Sequence, residues 1–311
     1  MKVKAIVPRG YCYGVVNAIN IVLQARKKYP NKKIYILGMI VHNKNIVQAM
    51  NNLNIITLDD SNISRYDLLD QIDDGVVILS AHGSEQKVID KAKNKNLIVI
   101  DGACKDVIKT HNVIKDYLDK GYDVIYLGKE NHPEAVAALS IDINHIHLIN
   151  HEDDLEKLKI DNNKIVLTNQ TTISILSASK VYQKAKELFK DIIIVDEICN
   201  ATRIRQEAIL NLSNEIDLVY VVGDPKSNNS NKLAQLAIKD NRVVKMIESV
   251  NDIIIDDLLQ ANYVGVTSGA STPTYLTNQV IEYLNQFDKD NLSTYIKPKV
   301  DINEILSKED D

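Results

Sequence analysis

Apolar runs in this sequence stop at four or five residues, whereas a membrane-crossing helix takes about 20. No membrane-embedded part is therefore expected. Positive charge is also scarce: 37 Lys and Arg against 42 Asp and Glu leave a net charge of −5. Binding to a phosphate backbone needs a strongly basic face, so no nucleic-acid partner is expected. Neither a signal h-region nor an Arg- and Ser-rich transit segment precedes the first strand, which points to a cytoplasmic location. Cysteine is rarer still. Three residues make an odd number that suits no disulfide framework, and none of them lies in the short CxxC spacing of common structural zinc sites.

The three cysteines share one sequence environment. Cys12, Cys104 and Cys199 each follow a β-forming run and precede a helical stretch, and they stand 92 and 95 residues apart. The pattern predicts three units of similar length, each opened by strand, Cys and helix. Offsets within the units agree. From the cysteine to a loop glycine (Gly38, Gly128, Gly223) they are 26, 24 and 24 residues, and to the loop after the fourth strand they are 68, 64 and 68. Ile192 to Val195 reads as the strand ahead of Cys199, and Asn200 and Thr202 as N-cap candidates for the helix behind it. Strands alternating with helices imply parallel sheets, whose ligands bind beyond the carboxyl ends of the strands. The polar segment 288–311 is expected to be loosely held or wrapped over the surface.

Three thiolates from separate units suit a metal centre, either a three-sulfur zinc site or an iron-sulfur cluster. The cluster is favoured by the lack of CxxC pairs and of histidines beside the cysteines. A 4Fe-4S cluster ordinarily takes four Cys ligands, so three leave one iron open to a substrate oxygen. The polar loops carry His42, His82, His132, Glu134, Thr171, Ser227, Asn228, Asn229 and Ser271, mostly just ahead of helices. Backbone amides at helix starts together with neutral donors make an anion site suited to a phosphate or diphosphate. Glu134, two residues from His132, is the natural proton donor or acceptor.

The segments Arg9 to Val15 (RGYCYGV), Val41-His42-Asn43, Ser80-Ala81-His82-Gly83, His132-Pro133-Glu134, Gln170-Thr171-Thr172, Ile198 to Thr202 (ICNAT) with Arg205-Gln206-Glu207, and Gly265 to Ser271 (GVTSGAS) make a combination. It resembles the 4-hydroxy-3-methylbut-2-enyl diphosphate reductase (LytB/IspH) family over roughly residues 3 to 285. The resemblance implies three pseudo-repeated α/β lobes with mainly parallel sheets, arranged in a trefoil around a central iron-sulfur site. Residues 15–104 and 105–198 would form the first two lobes, residues 1–14 with 199–287 the third, and 288–311 a polar C-terminal tail.

It further implies one 4Fe-4S cluster on Cys12, Cys104 and Cys199, with the substrate's C4 hydroxyl on the fourth iron. His42, His82, Ser227, Asn228, Asn229 and Ser271 would bind the diphosphate, joined by His132 and Thr171 as further substrate contacts. His132 and Glu134 would deliver the proton that turns the hydroxyl into leaving water, and Thr171 would orient that group. Electrons would come from ferredoxin or flavodoxin. The products would be isopentenyl and dimethylallyl diphosphates, the last step of the non-mevalonate isoprenoid pathway. The sequence departs from the family pattern at Gly102 and Lys105 around Cys104 and at Asn228, where a serine is usual. Two other classes fit the residues: a 4Fe-4S hydro-lyase working without net reduction, and a zinc-stabilised protein that binds a phosphate ligand without catalysis.

Overall fold

The computed structural model describes residues 1–239 and 242–306. Among the described residues twelve strands form three four-stranded sheets, and every ladder within them is parallel. In the first sheet, β2 (Ile34–Leu37), β3 (Ile55–Leu58), β4 (Val76–Leu79) and β5 (Ile98–Asp101) lie in the order β3-β2-β4-β5. The second holds β6 (Asp123–Leu127), β7 (Ile146–Ile149), β8 (Ile165–Asn169) and β9 (Ile193–Ile194) in the order β7-β6-β8-β9. The third is built from β10 (Leu218–Val222), β11 (Val243–Ile247), β12 (Tyr263–Ser268) and β1 (Lys2–Ala5), in the order β11-β10-β12-β1. The spatial pattern is thus the same three times.

Burial explains why these runs become strands. IYIL, VVIL, DVIYL, IVLTN and LVYVV are buried along their whole length as central strands, which is how a parallel sheet covered on both faces reads in sequence. Edge strands such as β5 and β9 are only half-buried. On one face of the second sheet Ile125, Leu127 and Leu167 pack with Val181 and Ala185, and on the other Val124, Tyr126 and Val166 pack with Ile114, Ala135 and Ala138.

Eleven α-helices among the described residues connect the strands: α1 (Tyr13–Lys28), α2 (Lys44–Asn52), α3 (Arg65–Leu68), α4 (Gln86–Asn94), α5 (Lys105–Asp119), α6 (Pro133–Leu139), α7 (Ile175–Leu188), α8 (Asn200–Leu210), α9 (Asn228–Ala237), α10 (Ile255–Gln260) and α11 (Thr274–Gln286). Among the described residues no helix is long and apolar enough to cross a membrane.

Pairing changes the phase of the repeat. The strand ahead of each cysteine does not open a new sheet; it is the edge of the preceding one, with β5 on β4, β9 on β8 and β1 on β12. The predicted strand 192–195 is also shorter, covering only Ile193 and Ile194. Asp191 before it takes a left-handed φ of 62°. After it, the Asp196 carboxylate accepts the Ile198 amide at 3.0 Å and starts a turn.

By contacts the chain forms two compact units. Unit 1 is residues 1–16, 42–53 and 200–311; unit 2 is residues 17–41 and 54–199. Unit 1 therefore contains the third sheet and also α2, although α2 is flanked in sequence by strands of the first sheet. Within unit 1 the segment 288–306 is fastened down rather than loose. A 3-10 turn over Ile302–Leu306 buries Ile305 completely, and the Ile305 carbonyl accepts the Tyr11 hydroxyl at 2.7 Å. Residues 307–311 of the expected tail lie outside the described residues.

Candidate functional site

In the first two sheets the chain leaves the first central strand for one edge and the second central strand for the other; in the third, β10 leads to the β11 edge and the other edge, β1, comes from the first residues. Loops diverge at such a switch point, and ligands of open parallel sheets bind there. Every candidate residue follows one of these central strands or the edge strand beside it. His42 lies beyond β2 and His82 beyond β4; His132 and Glu134 lie beyond β6 and Thr171 beyond β8; Ser227, Asn228 and Asn229 lie beyond β10 and Ser271 beyond β12.

The cysteines are seated by one device used three times. Each immediately precedes a helix (α1, α5 or α8), and each donates its backbone N–H to a carbonyl of the loop after the neighbouring central strand. Cys12 bonds Ala270 at 3.0 Å, Cys104 bonds Ala81 at 2.9 Å and Cys199 bonds Thr171 at 3.1 Å. All three are half-buried and none is in a disulfide. A helix start stabilises a thiolate, and soft thiolates are the ligands that iron-sulfur clusters use, so this donor set fits the cluster. Asn200, expected as an N-cap, is instead the first residue of α8, and Thr202 is buried inside that helix. The Asp196 turn brings the helix start forward, which leaves Cys199 in the cap position.

Unit 1 holds the Cys12 loop tightly. Gly10 has a φ of +72°, and a Cβ there would run into Thr274. Its N–H is taken by Ser268 Oγ at 2.7 Å and its carbonyl by the Arg205 guanidinium at 2.8 Å. Arg205 is buried and also caps the Ala201 carbonyl at 3.1 Å. Sequence reasoning assigned no role to Arg205 or Ser268. A cation one turn into the helix after Cys199 was the available signal.

Within unit 2, Glu134, His132 and Thr171 come together. Pro133 occupies the first turn of α6 and His132 is its N-cap, with the His132 Nδ1 accepting the Glu134 amide at 3.2 Å. Neutral His132 consequently carries its proton on Nε2. The Glu134 carboxylate accepts the Thr171 backbone N–H at 2.7 Å on Oε1 and the Thr171 hydroxyl at 3.0 Å on Oε2. Burial raises the Glu134 pKa to about 7, against the opposing pull of the two Thr171 hydrogen bonds. The His82 and His132 rings meet edge to face with centroids 5.5 Å apart. Since Thr171 also receives the Cys199 amide, a continuous run of bonds joins a cysteine segment to the buried acid.

Within unit 1, Ser227 caps α9 by accepting the Ser230 amide at 3.3 Å, and Asn228 and Asn229 form the buried first turn of that helix. Both polar atoms of the Asn229 side chain are buried without a hydrogen-bond partner among the described residues. An orphaned buried amide is costly unless something completes it. Ser271 donates its hydroxyl to the His42 carbonyl at 3.1 Å. As found, it fixes the His42 loop, and donating to an anion would require that bond to open. Asn43, the residue after His42, caps α2 by accepting the Asn45 and Ile46 amides at 3.0 and 3.3 Å.

Comparison with known proteins agrees with this architecture. The family model described as LytB protein matches residues 3–285. A 4-hydroxy-3-methylbut-2-enyl diphosphate reductase of Lysinibacillus sphaericus is 44% identical over 312 residues, covering 99% of this chain and 96% of the relative. One from Geobacillus kaustophilus is 45% identical over 313 residues, covering 99% of this chain and 98% of the relative. The solved E-1-hydroxy-2-methyl-but-2-enyl-4-diphosphate reductase from Plasmodium falciparum superposes with a TM-score of 0.84 at 31% identity, covering 90% of this chain and 87% of that one. Matched motifs, near-complete coverage and the shared arrangement of sheets lead to one conclusion: the chain belongs to the LytB protein family.

Proposed function

We propose that this chain catalyses the reductive dehydroxylation of (E)-4-hydroxy-3-methylbut-2-enyl diphosphate to isopentenyl and dimethylallyl diphosphates, the last step of the non-mevalonate pathway. The reading follows from the family and from the names of its relatives. What supports it in the molecule is the identical seating of the three cysteines, each a free half-buried thiol ahead of a helix, the donor type that a 4Fe-4S cluster uses. Cys12, Cys104 and Cys199 would hold that cluster, which would supply Lewis-acid chemistry for the C4 hydroxyl and a path for electrons from ferredoxin or flavodoxin, in the cytoplasm. Balance requires two electrons and two protons for each hydroxyl lost as water.

The chain's own residues do the rest. Burial raises the Glu134 pKa to about 7, so its protonated form is available near neutral pH. With the proton on Oε2, the contact to Thr171 reverses. Glu134 then donates to the Thr171 oxygen, and the Thr171 hydrogen turns to the substrate hydroxyl. His132 Nε2–H is a second donor for the same group, held in that tautomer by the Glu134 amide. Ser227, Asn228 and Asn229 at the start of α9, with His42, His82 and Ser271, bind the diphosphate through neutral donors and helix-start amides.

Anaerobically purified protein is expected to contain about four iron and four acid-labile sulfide per chain, with a broad visible absorption bleached by air or by dithionite. Stoichiometric zinc without sulfide would replace this reading with that of a phosphate-ligand binding protein. Turnover without any electron donor would indicate a hydro-lyase.

A further inference from the structure

The loop that follows β10 contains an acid where an anion is to bind. Asp224 is buried, and each carboxylate oxygen is committed to a backbone amide: Oδ2 accepts the Lys44 N–H at 2.9 Å and Oδ1 accepts the Lys226 N–H at 2.8 Å. Lys44 stands two residues after His42, and Lys226 immediately precedes Ser227. One side chain thus joins the segment carrying His42 to the segment carrying Ser227 and Asn229. By charge alone a carboxylate there opposes a bound diphosphate, so its value must be geometric.

We propose that Asp224 is a positioning residue for the diphosphate, fixing the spacing between the His42 loop and the start of α9. The proposal rests on the reading of His42, Ser227 and Asn229 as diphosphate ligands. Asp224 is not needed to start either helix, because α2 is capped by Asn43 and α9 by Ser227. Its two bonds instead set how those capped starts lie against each other within unit 1. The Lys44 ammonium pairs with Glu248, and its pKa is raised by that hydrogen bond first and, against desolvation, by the charges of Glu248, Asp252 and Asp224. Lys44 is consequently anchored at both ends, by its amide to Asp224 and by its side chain to Glu248.

The test uses anaerobically purified, cluster-loaded protein and two probes, the substrate in turnover and inorganic diphosphate in calorimetric binding. Asp224→Asn leaves one good acceptor for two amides, and Asp224→Ala leaves none. The KM and the diphosphate dissociation constant are expected to rise about tenfold in the Asn variant and further in the Ala variant, the scale of losing one charge-assisted hydrogen bond. The turnover number is expected to stay within about threefold with iron content unchanged; the unfolding midpoint stays native in the Asn variant and falls in the Ala variant, which leaves both amides unpaired.

Tighter diphosphate binding by Asp224→Asn would mean that charge outweighs placement, and would overturn the proposal. So would a lowered unfolding midpoint with unchanged KM. Asn229→Ala serves as the companion. If it weakens diphosphate binding while both Asp224 variants bind normally, the positioning role falls and the diphosphate site stands. If all three bind normally, the site reading falls and takes the proposal with it.

Discussion

Glu134→Gln is expected to lower turnover by about 10²–10⁴-fold, the usual worth of a general acid, while the iron content, the visible spectrum and substrate binding stay those of the native protein. Gln is nearly isosteric. Its amide oxygen can still accept the Thr171 N–H, and its NH₂ can donate to the Thr171 hydroxyl, so the bonds that seat Thr171 survive in a form that releases no proton. Near-normal turnover in the variant would remove Glu134 from the proton-donor role.

The pH dependence of the native enzyme follows from the same group. Activity that uses protonated Glu134 is fully present below its folded pKa and declines as pH rises through about 7. Stability has its own sign. The folded carboxyl holds its proton to higher pH than the unfolded one, so folding stability falls as pH rises from about 4.5 toward 7 and is flat above. The loss is about 3 kcal/mol at most. Glu134→Gln should abolish that slope, and above neutral pH the variant should unfold at a higher midpoint. Urea titrations at pH 5 and pH 8 on both proteins measure this; parallel slopes would show that Glu134 titrates normally.

The second large effect concerns the cysteines. Serine in place of Cys12, Cys104 or Cys199 is expected to remove iron and sulfide together and to cut activity by at least about 100-fold, since even the outer partners of metal ligands cost 10–100-fold. The fold should survive. Each cysteine is half-buried, and the bond that seats it comes from its backbone amide, which a serine also has. The change in stability of the cluster-free protein should lie within about 1 kcal/mol of zero. Full retention of iron and sulfide in any one of the three variants would exclude that residue as a ligand.

Most of this architecture was legible because the repeat made it so. A single cysteine between strand and helix reads as an ordinary core residue, but three with matched offsets define a site, and wholly buried strands such as LVYVV announce central parallel positions. The edge assignment of the strands before the cysteines was not legible, since a parallel pairing partner leaves no mark on a short apolar run. Cys199 in the cap position was hidden by better capping residues downstream, because a turn set by Asp196 outranks side-chain preference. Asp224 was missed for a chemical reason. An acid in an anion-binding loop looks adverse until its two backbone partners are known.

The pairing of β1 with β12 dictates an order of events during synthesis. Lys2 lies opposite Tyr263, so β1 waits for about 260 more residues before its partner exists. The first two sheets contain only strands close to one another in sequence and can form while translation continues. The third cannot close until β12 has emerged, and only then does Ala270 receive the Cys12 amide. Cys12 is thereby seated last, after Cys104 and Cys199, whose amide partners Ala81 and Thr171 lie ahead of them in the chain.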